Sequence, residues 1–160
     1  MKNIVFTIVF LTIFPTTAFS NSQNSDKTTQ EFAYESLTKV ILHSLNLSLG
    51  GRSKETVVDP SGLILLLASD KSIEARNLLL QLLELNIGPV HAEALSYAVV
   101  KQGKAIEDDL RNLLREPVEC TLLKNDRFEA LQCLSQEARD AHVRWLLKLI
   151  ENGKTIEYVP

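Results

Sequence analysis

Apolar positions recur along this chain at helical spacing, in blocks separated by glycine, proline or short polar runs. Phe32, Leu37, Val40, Ile41 and Leu45 form the first stripe, preceded by Thr28 and Glu31 at capping-box spacing and followed by Gly50-Gly51. The pattern predicts a helix over residues 28–49. Asp59-Pro60 then offers a cap and a first-turn proline, and residues 63–68 are apolar on nearly every side, which predicts a central helix. Asp70 is placed to cap a third helix carrying Ile73, Leu78, Leu79, Leu82, Leu83 and Ile87. Gly88-Pro89 stops it and opens a fourth over 90–102, with Ala94, Leu95, Ala98 and Val99 on its apolar face and Gly103 at its end. Leu110, Leu113 and Leu114 mark a fifth over 105–116, before Pro117 forbids continuation.

Past a connection at 118–125, Asp126 and Glu129 again stand at capping spacing, and Phe128, Leu131 and Leu134 predict a brief helix to Ser135. Ala138, Ala141, Val143, Trp145, Leu146, Leu149 and Ile150 carry the last helix, closed by Asn152-Gly153 and followed by a tail at 154–160. The expected fold is therefore all-α, about seven helices in one domain over 28–153. The polar connection 50–59 reads as a mobile surface loop. Its paired glycines lack the spacing to a Lys-Ser/Thr pair that a phosphate-cradling loop needs.

The N-terminal pattern adds a compartment. A short basic start, an uncharged apolar run at 4–14, Pro15, and small residues Ala18 and Ser20 before a cut predict a secretory signal peptide over 1–20. No cysteine follows the cut, so no lipid anchor is expected, and residues 21–27 read as a disordered polar leader. Removing Lys2 from 17 basic side chains leaves sixteen against 20 acidic ones, a mature net charge of −4. Without a basic run, such a chain has no electrostatic basis for binding nucleic acid or an anionic membrane. Both cysteines, Cys120 and Cys133, fall in the exported part and predict one disulfide, stabilising the fold by about 3 kcal/mol in the chain-entropy model.

The helical patterns also repeat. Glu93-Ala94-Leu95 is followed 17 positions on by Leu110-x-x-Leu113-Leu114, and Glu129-Ala130-Leu131 by Leu146-x-x-Leu149-Ile150 at the same separation. Gly62-Leu63-Ile64 and Leu79-x-x-Leu82-Leu83 fall in the same register. Three hairpins are expected, at about 60–86, 89–116 and 126–152. This resembles HEAT-like repeats, which implies antiparallel hairpins stacked as a short right-handed superhelix, or else an irregular bundle, with the first helix as an end cap. The chain lacks the aspartate-then-arginine ladder of regular HEAT units, so the resemblance does not imply regular curvature.

In that register the second helix of each hairpin turns its leucines inward. Its other face carries Asn77 and Gln81, then Asp108 and Asn112, then Arg144 and Lys148. With Arg52, Lys54 and Glu55 of the 50–59 loop, these are the candidate partner-binding residues, since solenoids bind along such a face.

Catalytic and metal signatures point elsewhere. His43, His91 and His142 lie on separate helices, without a His-x-x-Glu-His or Glu-x-x-His arrangement. No nucleophile elbow or Ser-x-x-Lys pattern surrounds any serine. Adjacent Asp108 and Asp109 point about 100° apart on a helix and are no acid pair by themselves. No enzyme activity, metal or cofactor is expected. An exported, helical, mildly acidic chain of this length is similar to the immunity proteins of bacterial toxin systems. That resemblance implies a periplasmic protein whose partner is a cognate toxin; an envelope adaptor or scaffold, or a small hydrolase with a site built from distant residues, are the alternatives.

Overall fold

The computed structural model describes residues 20–51, 58–124 and 128–158. The predicted signal peptide, apart from Ser20, and loop residues Arg52, Lys54 and Glu55 lie outside them. The described chain is mostly helical, with 70% helix and 3% strand.

Helix α1 spans Ser20–Leu49. It contains neither proline nor glycine, so nothing interrupts it at Thr28, and residues 21–27 are helical backbone rather than a separate leader. Its buried side is narrow: Ile41, Leu42, Ser44 and Leu45 reach the core, whereas Phe32 is 70% exposed.

Helix α2 (Pro60–Ser69) begins as expected, with the Asp59 carboxylate accepting from the backbone N–H groups of Ser61 and Gly62. It packs most extensively on α4 (Pro89–Gln102). Both helices bury small residues, Ser61 and Ala68 on one and Ala94, Ser96 and Ala98 on the other, so their backbones approach closely. Gln102 secures the end of this contact by donating to the carbonyls of Leu67 and Asp70, each at 2.7 Å.

Helix α3 (Ile73–Leu82) is capped by Ser72, whose Oγ accepts from Ala75 N–H at 3.1 Å. The cap thus falls two residues later than expected, and Asp70 accepts from Ser72 N–H instead. The Tyr34 hydroxyl donates to Asp70 and contacts Ser72 Oγ, tying α1 to the α2–α3 corner. That phenol bond, seconded by Ser72 N–H, holds the Asp70 carboxyl below its ordinary range.

The helix stops at Leu82, five residues short of the sequence expectation. Leu83, Leu85 and Ile87 are all buried at period two, and strand β1 (Leu85–Asn86) pairs antiparallel with β2 (Gln132–Cys133), Leu85 opposite Cys133. The helix predicted over 126–135 is thereby overturned, because its described backbone is satisfied by distant partners. Ala130 N–H donates to Asn46 Oδ1 and Leu134 N–H to the Glu84 carbonyl. A helix of two turns lacks the length to offset its own nucleation, so these contacts prevail.

Gly103–Ile106 forms a 3-10 turn before the short α5 (Glu107–Leu113), and α6 (Gln136–Glu151) closes the domain behind a Ser135 cap. Among the described residues there are thus six α-helices rather than seven, and the third hairpin lacks its first arm. Cys120 and Cys133 are joined, their Cα atoms 6.0 Å apart.

Candidate partner-binding cleft

The positions 77, 80/81 and 84 share one side of α3 and its continuation, and 109, 112/113 and 116 share one side of α5 and its continuation. These two surfaces face each other across a cleft of about 400 Å³, with Leu80, Leu113 and Pro117 among its apolar lining. Asn77, Gln81 and Asn112 supply side-chain amides that both donate and accept. Glu84, Asp109, Glu116 and Glu119 add carboxylates, and Thr121 a hydroxyl.

Three of the predicted stripe residues therefore converge here, and the others do not. Asp108 is exposed beside the cleft, its place in the lining taken by Asp109. Arg144 and Lys148 are exposed on α6, with Arg144 at 3.8 Å from Asp140. The single stripe expected from stacked repeats is broken after its second member.

A buried polar network that hydrophobic patterning did not reveal holds one wall in place. Arg139 is fully buried and donates to Glu84 Oε1 at 3.3 Å, Asp140 Oδ1 at 2.9 Å and the Glu116 carbonyl at 2.6 Å. Glu84 in turn accepts from Cys120 N–H at 2.9 Å and Glu119 N–H at 3.4 Å. Gln136 accepts from Val118 N–H and donates to the Glu116 carbonyl and Asp140. Burial alone would push the Asp140 carboxyl up, but the Arg139 guanidinium, with help from Gln136 and Arg144, holds it below its ordinary range. The sequence does carry a trace of this. Arg139 occupies the same helical face as Val143, Leu146 and Ile150, a core position for an apolar side chain.

Two serine–histidine contacts stand away from the cleft. His91 lies between Ser61 Oγ, 2.8 Å from Nδ1, and Ser48 Oγ, 3.0 Å from Nε2. His142 Nε2 is 2.8 Å from Ser96 Oγ. Ser96 gives its proton to the Ala92 carbonyl at 2.7 Å, so His142 donates to that hydroxyl rather than activating it. Ser61 is 2% exposed, out of reach of a substrate carbonyl. Burial depresses both imidazoles, with Asp59 partly opposing the effect at His91. Among the described residues no group of three or more His, Cys, Asp or Glu side chains could hold a metal ion, and no helix is long and apolar enough to cross a membrane.

No protein-family model matches the chain, and no curated protein or solved structure is significantly similar to it.

Proposed function

We propose that this chain is an exported protein-binding module, and specifically an immunity protein that binds and neutralises a toxin or effector in the periplasm. The observation that carries the reading is the convergence of Asn77, Gln81 and Asn112, from two different helices, in one cleft also lined by Leu80, Leu113 and Pro117. Amides that donate and accept, in one lining with Leu80 and Leu113, suit an extended polypeptide segment, whose peptide groups need both kinds of partner. A disulfide-linked cysteine pair and the signal-peptide pattern at 1–20 support an oxidising, extracytoplasmic location.

The second reading is an envelope adaptor or scaffold. Contacts of α2 with α4 and of α3 with α5 favour it, because like arms of successive hairpins pack that way in a HEAT-like stack.

Affinity capture from periplasmic extract, with partners identified by mass spectrometry, tests both. The immunity reading expects a stoichiometric partner that arrests growth when exported alone and is relieved by this chain. Capture should be lost in the Asn77→Arg/Asn112→Arg variant and kept in Arg144→Glu/Lys148→Glu. A captured partner without effect on growth favours the adaptor. Capture that survives the cleft double variant overturns the cleft as the binding site.

A further inference from the structure

We propose that the Cys120–Cys133 bond is a redox latch for the cleft wall: the helical core forms without it, and the wall is completed only when the two thiols are oxidised. Its biological consequence, a binding surface that matures after export, rests on reading the cleft as the partner site; its test does not.

Cys120 has φ of +48°, the only positive φ of a non-glycine residue among those described. An L residue adopts this backbone only where its surroundings impose it. Here the flanking residues Glu119 and Thr121 are both part of the cleft lining. Two long-range restraints hold the turn, the bond to Cys133 and the Glu84 carboxylate accepting from the N–H groups of Glu119 and Cys120, beside the local contacts of Leu123 N–H with the Cys120 carbonyl and of Lys124 with Glu119. The other end of the latch is equally dependent. Cys133 belongs to a ladder only two residues long on each strand, too short to persist alone. The disulfide therefore joins a strained turn to a marginal strand pair, and each stabilises the other through it. The contact of α2 with α4 is made between helices whose backbone hydrogen bonds are local, and needs no such link.

The oxidation is ordinary thiol–disulfide exchange with a disulfide donor, of the thiol–disulfide oxidoreductase class. Cys133 is exposed while Cys120 is 6% exposed, so the Cys133 thiolate attacks the donor first and expels one donor thiolate. The Cys120 thiolate then attacks Cys133 Sγ and expels the second. Two electrons pass to the donor, and the two protons released by the protein thiols are matched by those the donor thiolates take up.

Hydrogen exchange followed by NMR on the full chain decides the matter, comparing the oxidised protein, the dithiol-reduced protein and the Cys120→Ser/Cys133→Ser variant. The expected result is that loss of the bond speeds exchange at the amides of Glu119, Cys120 (or its serine) and Leu134 by at least about tenfold more than at the amides of α2 and α4, which share only the global loss of stability. An equal acceleration throughout α2 and α4 would show a staple for the whole domain and overturn the latch. Unchanged protection at Glu119, Cys120 and Leu134 would also overturn it, by showing that Glu84 suffices. No partner is needed for this readout, so a failed capture experiment counts against the binding reading alone.

Discussion

Arg139 Nη1 lies 3.3 Å from Glu84 Oε1 across 55 positions of sequence, and both side chains are buried. This pair, with Asp140 as a third charge, joins α6 to the end of α3 and carries the turn between. A buried cation facing two carboxylates is stable only while every member is present, because removing one leaves the others desolvated without a partner.

Arg139→Met should therefore destabilise the domain by about 3–5 kcal/mol. Combining it with Glu84→Gln and Asp140→Asn should cost less than the three single losses added together, because the orphaned charges go with their partner. Urea denaturation of the singles and the triple checks this. Strict additivity would mean that the charges do not act as a network.

Acid should weaken the fold first through its histidines. Folded-state values of His91 and His142 lie below their ordinary range because burial disfavours the imidazolium, so the unfolded chain binds more protons as pH falls. Their contribution is fully present above about pH 6.5 and is lost as pH drops through the folded values. Asp70 and Asp140, held low by their hydrogen-bonding partners, add a second loss at more acid pH. The urea midpoint should decline from pH 7.5 to 5, and His142→Gln should flatten that decline. Trp145 lies 5.9 Å from the His142 ring, so its fluorescence should fall as the imidazolium forms.

The change of cap from Asp70 to Ser72 has a measurable counterpart. Ser72→Ala should cost about 1 kcal/mol, because α3 loses its capping acceptor. Ser135→Ala should cost a similar amount at α6. Thermal unfolding of the two variants against the parent checks both values.

Gly88 should tolerate a side chain less well than Gly103. Both have positive φ, +77° and +62°, with ψ of 161° and −139°, a backbone region that side chains avoid and that costs alanine about 1–3 kcal/mol at either site. At Gly88 the added Cβ would also stand 3.0 Å from Leu49 Cδ2, whereas at Gly103 it meets nothing within 4 Å. Gly88→Ala should lower the denaturation midpoint by more, and equal losses would show that Leu49 simply moves aside.

Asn77 and Asn112 are exposed in the isolated chain, so Asn77→Arg/Asn112→Arg should leave its stability within about 0.5 kcal/mol per site. Circular-dichroism melts establish that any loss of capture by this variant is a loss of surface and not of fold.

Where the determinants of an element are local, the residues announce it. Asp59-Pro60 opens α2, Gly88-Pro89 opens α4 and Asn152-Gly153 closes α6, because a cap or a first-turn proline acts on backbone within a few positions of itself. The disulfide was legible for a different reason, since the chain has only two cysteines. The cleft was half legible: helical spacing put Asn77, Gln81 and Asn112 on outward faces, but it also enrolled Arg144 and Lys148, which the structure places elsewhere. Residues 129–134 went the other way. Their apolar spacing and capping pair favour helix, yet Asn46, Glu84, Leu85 and Cys120, all distant in sequence, draw the backbone into an extended form. The sequence by itself thus determined the starts of α2 and α4 and the end of α6, set by neighbours along the chain, and the identity of the cysteine pair. Only the tertiary structure decided the β1–β2 pairing, the Glu84–Arg139 bond and the cleft they support, because each depends on contacts whose partners are brought together by packing alone.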